Sequence, residues 1–303
     1  MKKTTLVSVV GPTAIGKTKL AIALANHFDA PIISADSRQF YKELCIGTAV
    51  PTEKELKSAC HHFIQHKSIL DQYSVGDFER EAVFLLEELF KKKKVVVMVG
   101  GSGLYVNAVT KGLDKFPEID PEIRNKLNRE LEEKGILHLQ NQLKLLDPSY
   151  YKKVDLENSR RLIRALEVCI GAGKPYSSFI HQEKPKRAFE IFTIGITTDR
   201  DRIYDRINKR VDIMMKQGLL EEVRSVYKQR ELNALQTVGY KELFQYLDGE
   251  CDLESAISEI KKNTRRFAKR QLTWFRKNKN TFWIDQTYDI GKVIAQIEKT
   301  SNS

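Results

Sequence analysis

Eight consecutive residues, Gly11-Pro12-Thr13-Ala14-Ile15-Gly16-Lys17-Thr18, match the phosphate-binding pattern G-x-x-x-x-G-K-[ST] at every fixed position. A loop of this kind turns its backbone N–H groups toward phosphate oxygens at the positive end of the helix that follows. Lys17 adds a point charge, and the Thr18 hydroxyl is suited to help hold Mg²⁺. The flanks fit as well: residues 6–10 form a short apolar run typical of a buried strand, and residues 19–25 read as a helix. A plain glycine turn with a surface lysine would need neither flank. The motif specifies phosphate and leaves open whether a nucleotide carries it.

A second polar group closes the next apolar run. Pro31-Ile32-Ile33-Ser34-Ala35 reads as a parallel strand and delivers Asp36-Ser37-Arg38-Gln39 to the place where α/β proteins carry their chemistry. A carboxylate there can ligate a metal, cap a helix or act as a general base, with capping the commonest of the three. Residues 95–99 are a fully apolar strand leading into Gly100-Gly101-Ser102-Gly103-Leu104-Tyr105, whose glycines permit close backbone approach or a tight strand-to-helix turn. A P-loop ATPase more often ends such a strand in an aspartate for Mg²⁺; this one ends in glycine. Arg202, Arg206 and Arg210 recur every four residues along one side of a helix expected over 199–217. They form either a solvated stripe or a clamp for diphosphate or RNA backbone, and their position after a strand favours the clamp. Cys60-His61-His62 with His66 looks like metal ligation only superficially, because adjacent strand histidines face opposite ways and the spacing fits no common zinc pattern.

Strands and helices alternate around these groups, which indicates an α/β fold: a P-loop NTPase-like parallel sheet flanked by helices, with an inserted all-helical subdomain. The strands are expected at 6–10, 31–35, 95–99, 189–196 and 281–284, with a fraying tail after the last. A helix is expected over 78–94 behind Asp77 as N-cap, its terminal lysines suiting the negative end of the dipole. The stretch 41–76 is loop-rich. From 117 to 187 the chain turns helical and strand-poor: Asp120-Pro121 and Asp147-Pro148 open helices, Gly135 separates two, and Asn158 caps another that continues through Cys169. The expected division is a P-loop catalytic core from 1–116 and 188–303, carrying a basic helix near its C-terminus, and a helical insertion at 117–187. In the basic helix, Asp252 caps a run reaching 277, with Leu253, Ala256, Ile257, Ile260, Phe267, Leu272 and Phe275 as the buried stripe.

The 303 residues are 41% hydrophobic, enough for a substantial core, and carry a formal net charge of +11. Gathered in one place, such an excess points to nucleic acid. Part of it is gathered. The exposed side of the 253–277 helix holds Lys261, Lys262, Arg265, Arg266, Lys269, Arg270, Arg276 and Lys277, and no acid occurs between 261 and 284. Exposed helices ordinarily mix both signs, so this face points to a polyanion. The four cysteines, Cys45, Cys60, Cys169 and Cys251, show no C-x-x-C pairing, which suggests reduced cytosolic thiols rather than zinc or disulfides. Met1-Lys2-Lys3 leads directly into the first strand, and no apolar run approaches a membrane span, so a soluble cytoplasmic protein is expected.

In their order and spacing, several segments together resemble the bacterial tRNA dimethylallyltransferase family, also called tRNA isopentenyltransferases. They are Gly11 to Thr18, Asp36-Ser37-Arg38-Gln39, Ile46-Gly47-Thr48, Gly100 to Tyr105, Arg161 to Glu167, Gln236 to Leu243, and the run from Thr264 through Gln271 and Trp274 to Phe275. Three departures from the family pattern stand out. Ser102 replaces a frequent Thr, Arg38 a usual Met or Ala, and Gln236 and Lys241 stand where Arg is common. The first keeps a hydroxyl; the others bear on RNA contacts.

The resemblance implies transfer of a dimethylallyl group from dimethylallyl diphosphate to N6 of the adenosine immediately 3′ of the anticodon, with Mg²⁺. It also implies a P-loop that holds diphosphate rather than consuming ATP, and a helical domain that embraces the anticodon stem; a monomer is expected. Asp36 is then the candidate base, since an exocyclic adenine amine must lose a proton as its C–N bond forms. Lys17, Thr13, Ser102 and Arg206 are the other candidate catalytic residues, Gly11 to Thr18 hold the diphosphate, and Thr18 is the metal ligand. The tRNA would meet Asp36, Ser37, Arg38, Gln39 and Ser102; Arg124, Arg160, Arg161, Leu162, Ile163 and Arg164; and Gln236, Thr237, Val238, Gly239, Tyr240 and Lys241. A small-molecule P-loop kinase would explain the first motif but not the one-signed helix. An adenylate isopentenyltransferase would have less need of the basic surface and the insertion. An RNA-binding NTPase switch would want an N-K-x-D motif for guanine, and none is present.

Overall fold

The computed structural model describes residues 4–180, 182 and 186–302; Met1-Lys2-Lys3 lie outside the described residues. The chain divides into two compact units, one made of Met1–Lys111 with Arg187–Ser303 and the other of Gly112–Lys186.

The first unit is built on six parallel strands, β1 (Thr5–Val10), β2 (Ile32–Ser34), β3 (His61–His62), β4 (Val95–Gly100), β5 (Glu190–Thr197) and β6 (Phe282–Asp285), in the spatial order β3-β2-β4-β1-β5-β6. Its helices are α1 (Lys17–Phe28), α2 (Glu53–Ser58), α3 (Val75–Phe90) and α4 (Gly103–Lys111) before the second unit. The second unit holds α5 (Pro121–Lys134), α6 (Ile136–Leu146), α7 (Pro148–Tyr151) and α8 (Ser159–Ala172). The first then resumes with α9 (Arg200–Lys216), α10 (Leu219–Ser225), α11 (Tyr240–Leu247), α12 (Leu253–Phe275) and α13 (Ile290–Asn302).

Every residue of β1 is buried, because helices cover both faces of a parallel sheet. Alternation divides the strand between them. Val7 and Val9 pack with Leu20 and Leu24 of α1, Ile203 and Ile207 of α9 and Ala268 of α12, while Leu6 and Val10 pack with Phe78, Ala82 and Leu86 of α3. Side chains as fully buried as Leu20 and Leu24 each contribute about 1.5–3 kcal/mol. A third apolar cluster joins Leu44, Val211, Leu219, Leu235, Tyr240 and Ile260, and fastens the 41–46 loop to α10, α11 and α12. In the second unit Leu127, Leu139, Leu143, Leu162 and Leu166 form a separate core, as the helical periodicity of 117–187 requires.

Three expectations about elements are corrected. Helix α3 begins at Val75, not after Asp77, because Ser74 and Asp77 satisfy each other: Ser74 Oγ accepts the Asp77 N–H at 3.2 Å and Asp77 Oδ2 accepts the Ser74 N–H at 2.8 Å. It ends at Phe90, and Lys93 beyond it pairs with Asp29 at 2.7 Å. The tail does not fray after β6. It forms α13, which buries Val293 and Ile297, four residues apart, against the core beside α1. In α12 Phe267 is 38% exposed and faces a cavity, whereas Gln271 is buried.

The register decides where the polar motifs meet. Val10 of β1 lies opposite Gly100 of β4, and Ser34 of β2 opposite Val99, so the residues after all three strands emerge along one edge of the sheet. Parallel α/β sheets bind ligands at this carboxyl edge.

Candidate active site

At that edge the phosphate-loop motif links β1 to α1. The loop curls through positive φ at Gly11 (147°), Ala14 (62°) and Gly16 (105°), the backbone habit that gathers N–H groups into an anion-binding concavity. Lys17 Nζ donates to the Pro12 carbonyl at 2.8 Å and so folds back over the loop. Thr13 is an exception in the cradle, since its N–H donates at 2.8 Å to Gln271 Oε1. Its remaining polar contribution is the hydroxyl.

Gln271 comes from near the C-terminal end of the basic helix and is buried there. Its Nε2 donates to the Gly101 carbonyl at 2.9 Å, so one side-chain amide joins the phosphate loop to the glycine run after β4. A Cβ at residue 101 would lie 2.4 Å from Nε2, which is why that position is glycine. The next residue, Ser102, accepts the Ser37 N–H at 3.1 Å, and the two hydroxyls are also 3.1 Å apart. These bonds draw the ends of β1, β2 and β4 and the side of α12 around one cavity of about 590 Å³, lined by Thr13, Asp36, Ser37, Arg38, Gly101, Ser102, Arg210, Gln271 and Trp274 among others.

Asp36 lies in its wall. The carboxylate closes a turn, accepting the Arg38 N–H on Oδ1 at 3.2 Å, and it caps no helix. Loss of hydration raises its carboxyl above the ordinary value, against the opposing pull of the Lys17 charge, the Arg38 N–H, and the Arg38 and Arg210 charges. The same burial lowers Lys17 to about 8, with Asp36 working the other way and Arg210 adding to the depression. A carboxylate of raised pKa facing an ammonium of lowered pKa is a pair suited to proton transfer beside an anion.

Part of the lining is apolar or aromatic, with Leu104, Ile207, Val211, Met214, Leu219, Ile260, Phe267 and Trp274, and Thr48, Gln236, Thr237, Lys241, Thr264 and Arg270 add polar and cationic groups. One cavity thus combines a phosphate end, a carboxylate, and room for a hydrocarbon and a planar ring. Residues 39–278 match the model of a family described as IPP transferase.

The chain belongs to the IPP transferase family.

Its relatives extend the match beyond those residues. A tRNA dimethylallyltransferase of Christiangramia forsetii is 62% identical, over 98% of this chain and 99% of its own. The crystal structure of the full-length tRNA isopentenylpyrophosphate transferase of Bacillus halodurans is 38% identical and superposes with a TM-score of 0.72, covering 99% of this chain and 95% of that one. A eukaryotic dimethylallyltransferase, crystallised in snapshots of its action on tRNA, is 25% identical with a TM-score of 0.83, covering 99% and 80%.

Of the residues expected at the site in this family member, Thr13, Asp36, Ser37, Arg38, Ser102, Gln236, Thr237, Val238, Gly239 and Lys241 line the cavity. Several others are placed differently. Tyr240 is completely buried, its hydroxyl bonded to Glu222 at 2.6 Å, so its side chain is a pillar under the 236–241 turn. Gln39 gives its amide to the Thr48 and Ala49 carbonyls at 3.3 and 2.9 Å and braces that loop. The side chains of Leu162 and Ile163 are 0% and 7% exposed and pack α8 in the core of the second unit. Arg160 and Arg161 beside them are exposed, while Arg124 and Arg164 share Glu167 at 2.6 and 2.5 Å.

The three regularly spaced arginines of α9 do not act alike. Arg202 is exposed and 3.9 Å from Asp199, Arg206 Nε donates to the Ala14 carbonyl at 2.6 Å, and Arg210 alone of the three lines the cavity. Sequence reasoning chose Arg206 over Arg210 because helical spacing fixes a side but not how far along it a pocket opens. It also passed over Gln271, Phe267 and Trp274. A buried amide flanked by cations was the available signal for the first.

Proposed function

We propose that this chain, a tRNA dimethylallyltransferase by family, transfers the dimethylallyl group of dimethylallyl diphosphate to N6 of the adenosine immediately 3′ of the anticodon. The observation that carries this reading is the single cavity shared by Thr13 of the phosphate loop and Asp36. The N6 lone pair attacks C1 of the allylic group, the bond from C1 to the diphosphate oxygen breaks with its electron pair leaving on the diphosphate, and Asp36 receives the N6 proton. That sequence balances charge inside the site.

Each group has a distinct task. Loop N–H groups, Lys17 and Arg210 face the negative charge that grows on the leaving diphosphate, with Arg206 at the loop's rim. Aligned, preorganised donors of this kind are worth on the order of 10²–10³ each in rate. The apolar wall of Ile207, Val211, Met214 and Leu219 suits a five-carbon chain, and Phe267 and Trp274 offer faces to a purine that has left its stack. The Thr13 and Ser102 hydroxyls are placed to orient the two substrates.

Mg²⁺ fits the donors present. The Thr18 hydroxyl makes no hydrogen bond among the described residues, and one hydroxyl joined by diphosphate oxygens and water is a set that Mg²⁺ accepts. Bound there, the ion would neutralise diphosphate charge. The described residues contain no cluster of three or more His, Cys, Asp or Glu side chains for a metal, and diphosphate oxygens and water would supply the remaining donors.

The second unit supplies exposed Arg160 and Arg161, with Arg124 and Arg164, for the backbone of the anticodon stem. No described helix is long and apolar enough to cross a membrane. We place the enzyme in the cytoplasm as a monomer.

Incubation with labelled dimethylallyl diphosphate and an anticodon stem-loop, beside ATP and AMP as acceptors or donors, tests the reading. Label in the RNA adenosine is the expected result. Label in AMP alone, or phosphate transfer from ATP, would replace it.

A further inference from the structure

The side of α12 turned away from the cavity bears a second concavity. Arg200, Lys262, Arg265, Arg266 and Lys269 surround Tyr204 in a groove of about 540 Å³ between α9 and α12, and no acidic residue lines it. Helical geometry keeps it apart from the active site. At about 100° per residue, positions 260, 264, 267 and 271 fall on one side of α12 and positions 262, 265, 266 and 269 on the other, separated by a helix thickness of about 10 Å.

The floor of this groove is ordered and neutral, and its rim is charged. Tyr204 packs on the core below, and its ring carries the Arg200 and Arg265 guanidinium groups at 5.0 and 5.6 Å. Its hydroxyl accepts from Arg200 Nε at 2.9 Å, and Asn208 Oδ1 accepts from Arg265 Nη1 at 2.8 Å. Both guanidinium groups are therefore oriented without being neutralised. Among the described residues only Lys262 of the five cations has a carboxylate partner, Glu259 at 2.6 Å. The neighbouring Lys261 shows the ordinary arrangement, paired with Asp212 at 2.6 Å. Four unneutralised like charges around a fixed ring repel one another, a cost that a bound polyanion removes.

We propose that this groove is a seat for the RNA phosphate backbone, separate from the cavity, that holds a part of the tRNA remote from the reacting nucleotide. This rests on the tRNA reading above. The groove is lined mainly by guanidinium and ammonium groups, which hold phosphates whatever the base sequence, so it adds affinity in every sequence context. A small free anion such as diphosphate shares the phosphate chemistry, and the experiment distinguishes it.

The test is the salt dependence of full-length tRNA binding, measured by filter retention across a series of KCl concentrations. Arg200, Arg266 and Lys269 are exposed, and a triple Gln variant keeps their bulk while removing three charges. The expected result is a log–log slope shallower by roughly 2, since each neutralised phosphate contributes about 0.7–0.9, and an affinity about tenfold or more weaker near 0.1 M salt. Arg200→Lys with Arg266→Lys should keep the parent slope, which a purely structural role for the guanidinium groups would not permit. A triple variant with parental slope and affinity overturns the proposal. So does one that loses only binding of inorganic diphosphate. The tRNA reading fails separately, by a parent protein that puts no label into RNA in the transfer assay; a labelling parent with an unaltered triple variant rejects the groove alone.

Discussion

Tyr240 and Glu222 share a 2.6 Å hydrogen bond, and the same carboxylate accepts the backbone N–H groups of Cys45, Ile46 and Gly47 at 2.9, 2.7 and 2.9 Å. One side chain of α10 thereby fixes both the loop that carries Gly47, Thr48 and Ala49 into the cavity lining and the helix that follows the 236–241 turn, whose residues line it too. Burial and the Glu222 charge raise the Tyr240 hydroxyl above its ordinary value, so it remains a donor. A Cβ at residue 47 would stand 2.6 Å from the Tyr240 ring, and the loop closes onto that ring only as glycine.

Glu222→Gln tests this brace. The substitution keeps the shape but turns an NH₂ group toward backbone N–H donors, at a cost of about 1–3 kcal/mol in stability. The loop lines the cavity together with the 236–241 turn, away from the phosphate-loop residues, so on the proposed reading KM for the RNA should rise while the affinity for diphosphate stays near the parent value. Steady-state kinetics with each substrate varied in turn will show it. An unchanged melting temperature together with an unchanged RNA KM would refute the brace.

Asp36→Asn removes the proposed base and keeps an oxygen for the Arg38 N–H. Single-turnover transfer should fall by about 10²–10⁴, the usual range for a positioned general base, with tRNA affinity within a few-fold of the parent. A near-parental rate would reject the assignment.

Lys17 predicts an alkaline limb. In the free enzyme its burial-lowered value of about 8 means that it is protonated below pH 8 and loses its charge above it. The profile of kcat/KM for dimethylallyl diphosphate reports the free enzyme, so it should decline as pH rises through 8. In the complex the diphosphate charge favours the ammonium form, and kcat should not show that limb. A kcat/KM that stays flat through pH 8 would exclude the ammonium from diphosphate capture.

Gln271→Ala leaves the Thr13 N–H and the Gly101 carbonyl without their partner. The expected loss is about 1–3 kcal/mol of stability, with a fall in kcat as the phosphate loop loses its tie to the Ser102 turn. Gln271→Glu retains an acceptor for Thr13 but brings negative charge to the diphosphate end, so its diphosphate affinity should fall below that of the alanine variant. Isothermal titration with diphosphate separates the two. Equal affinities would show that Gln271 lies too far from the anion to matter.

Local chemistry along the chain determined most of the fold and half of the site. Residues 11–18 can form little other than a phosphate loop, β1 and β4 are mostly apolar because both faces of the sheet are covered, and Asp120, Asn158 and Asp252 cap the helices they precede. These are interactions within a few residues, readable from spacing alone. Only the tertiary structure decided which polar groups share a cavity. Parallel register set Gly100 opposite Val10 and brought Asp36 beside the phosphate loop, and the packing of α12 buried Gln271 against Thr13 across 258 residues of chain. The same packing withdrew Tyr240, Leu162 and Ile163 into cores and advanced Arg210 rather than Arg206 into the site. Helical periodicity defines the side of a helix a residue occupies; whether that side meets solvent, a core or a cavity depends on partners distant in sequence.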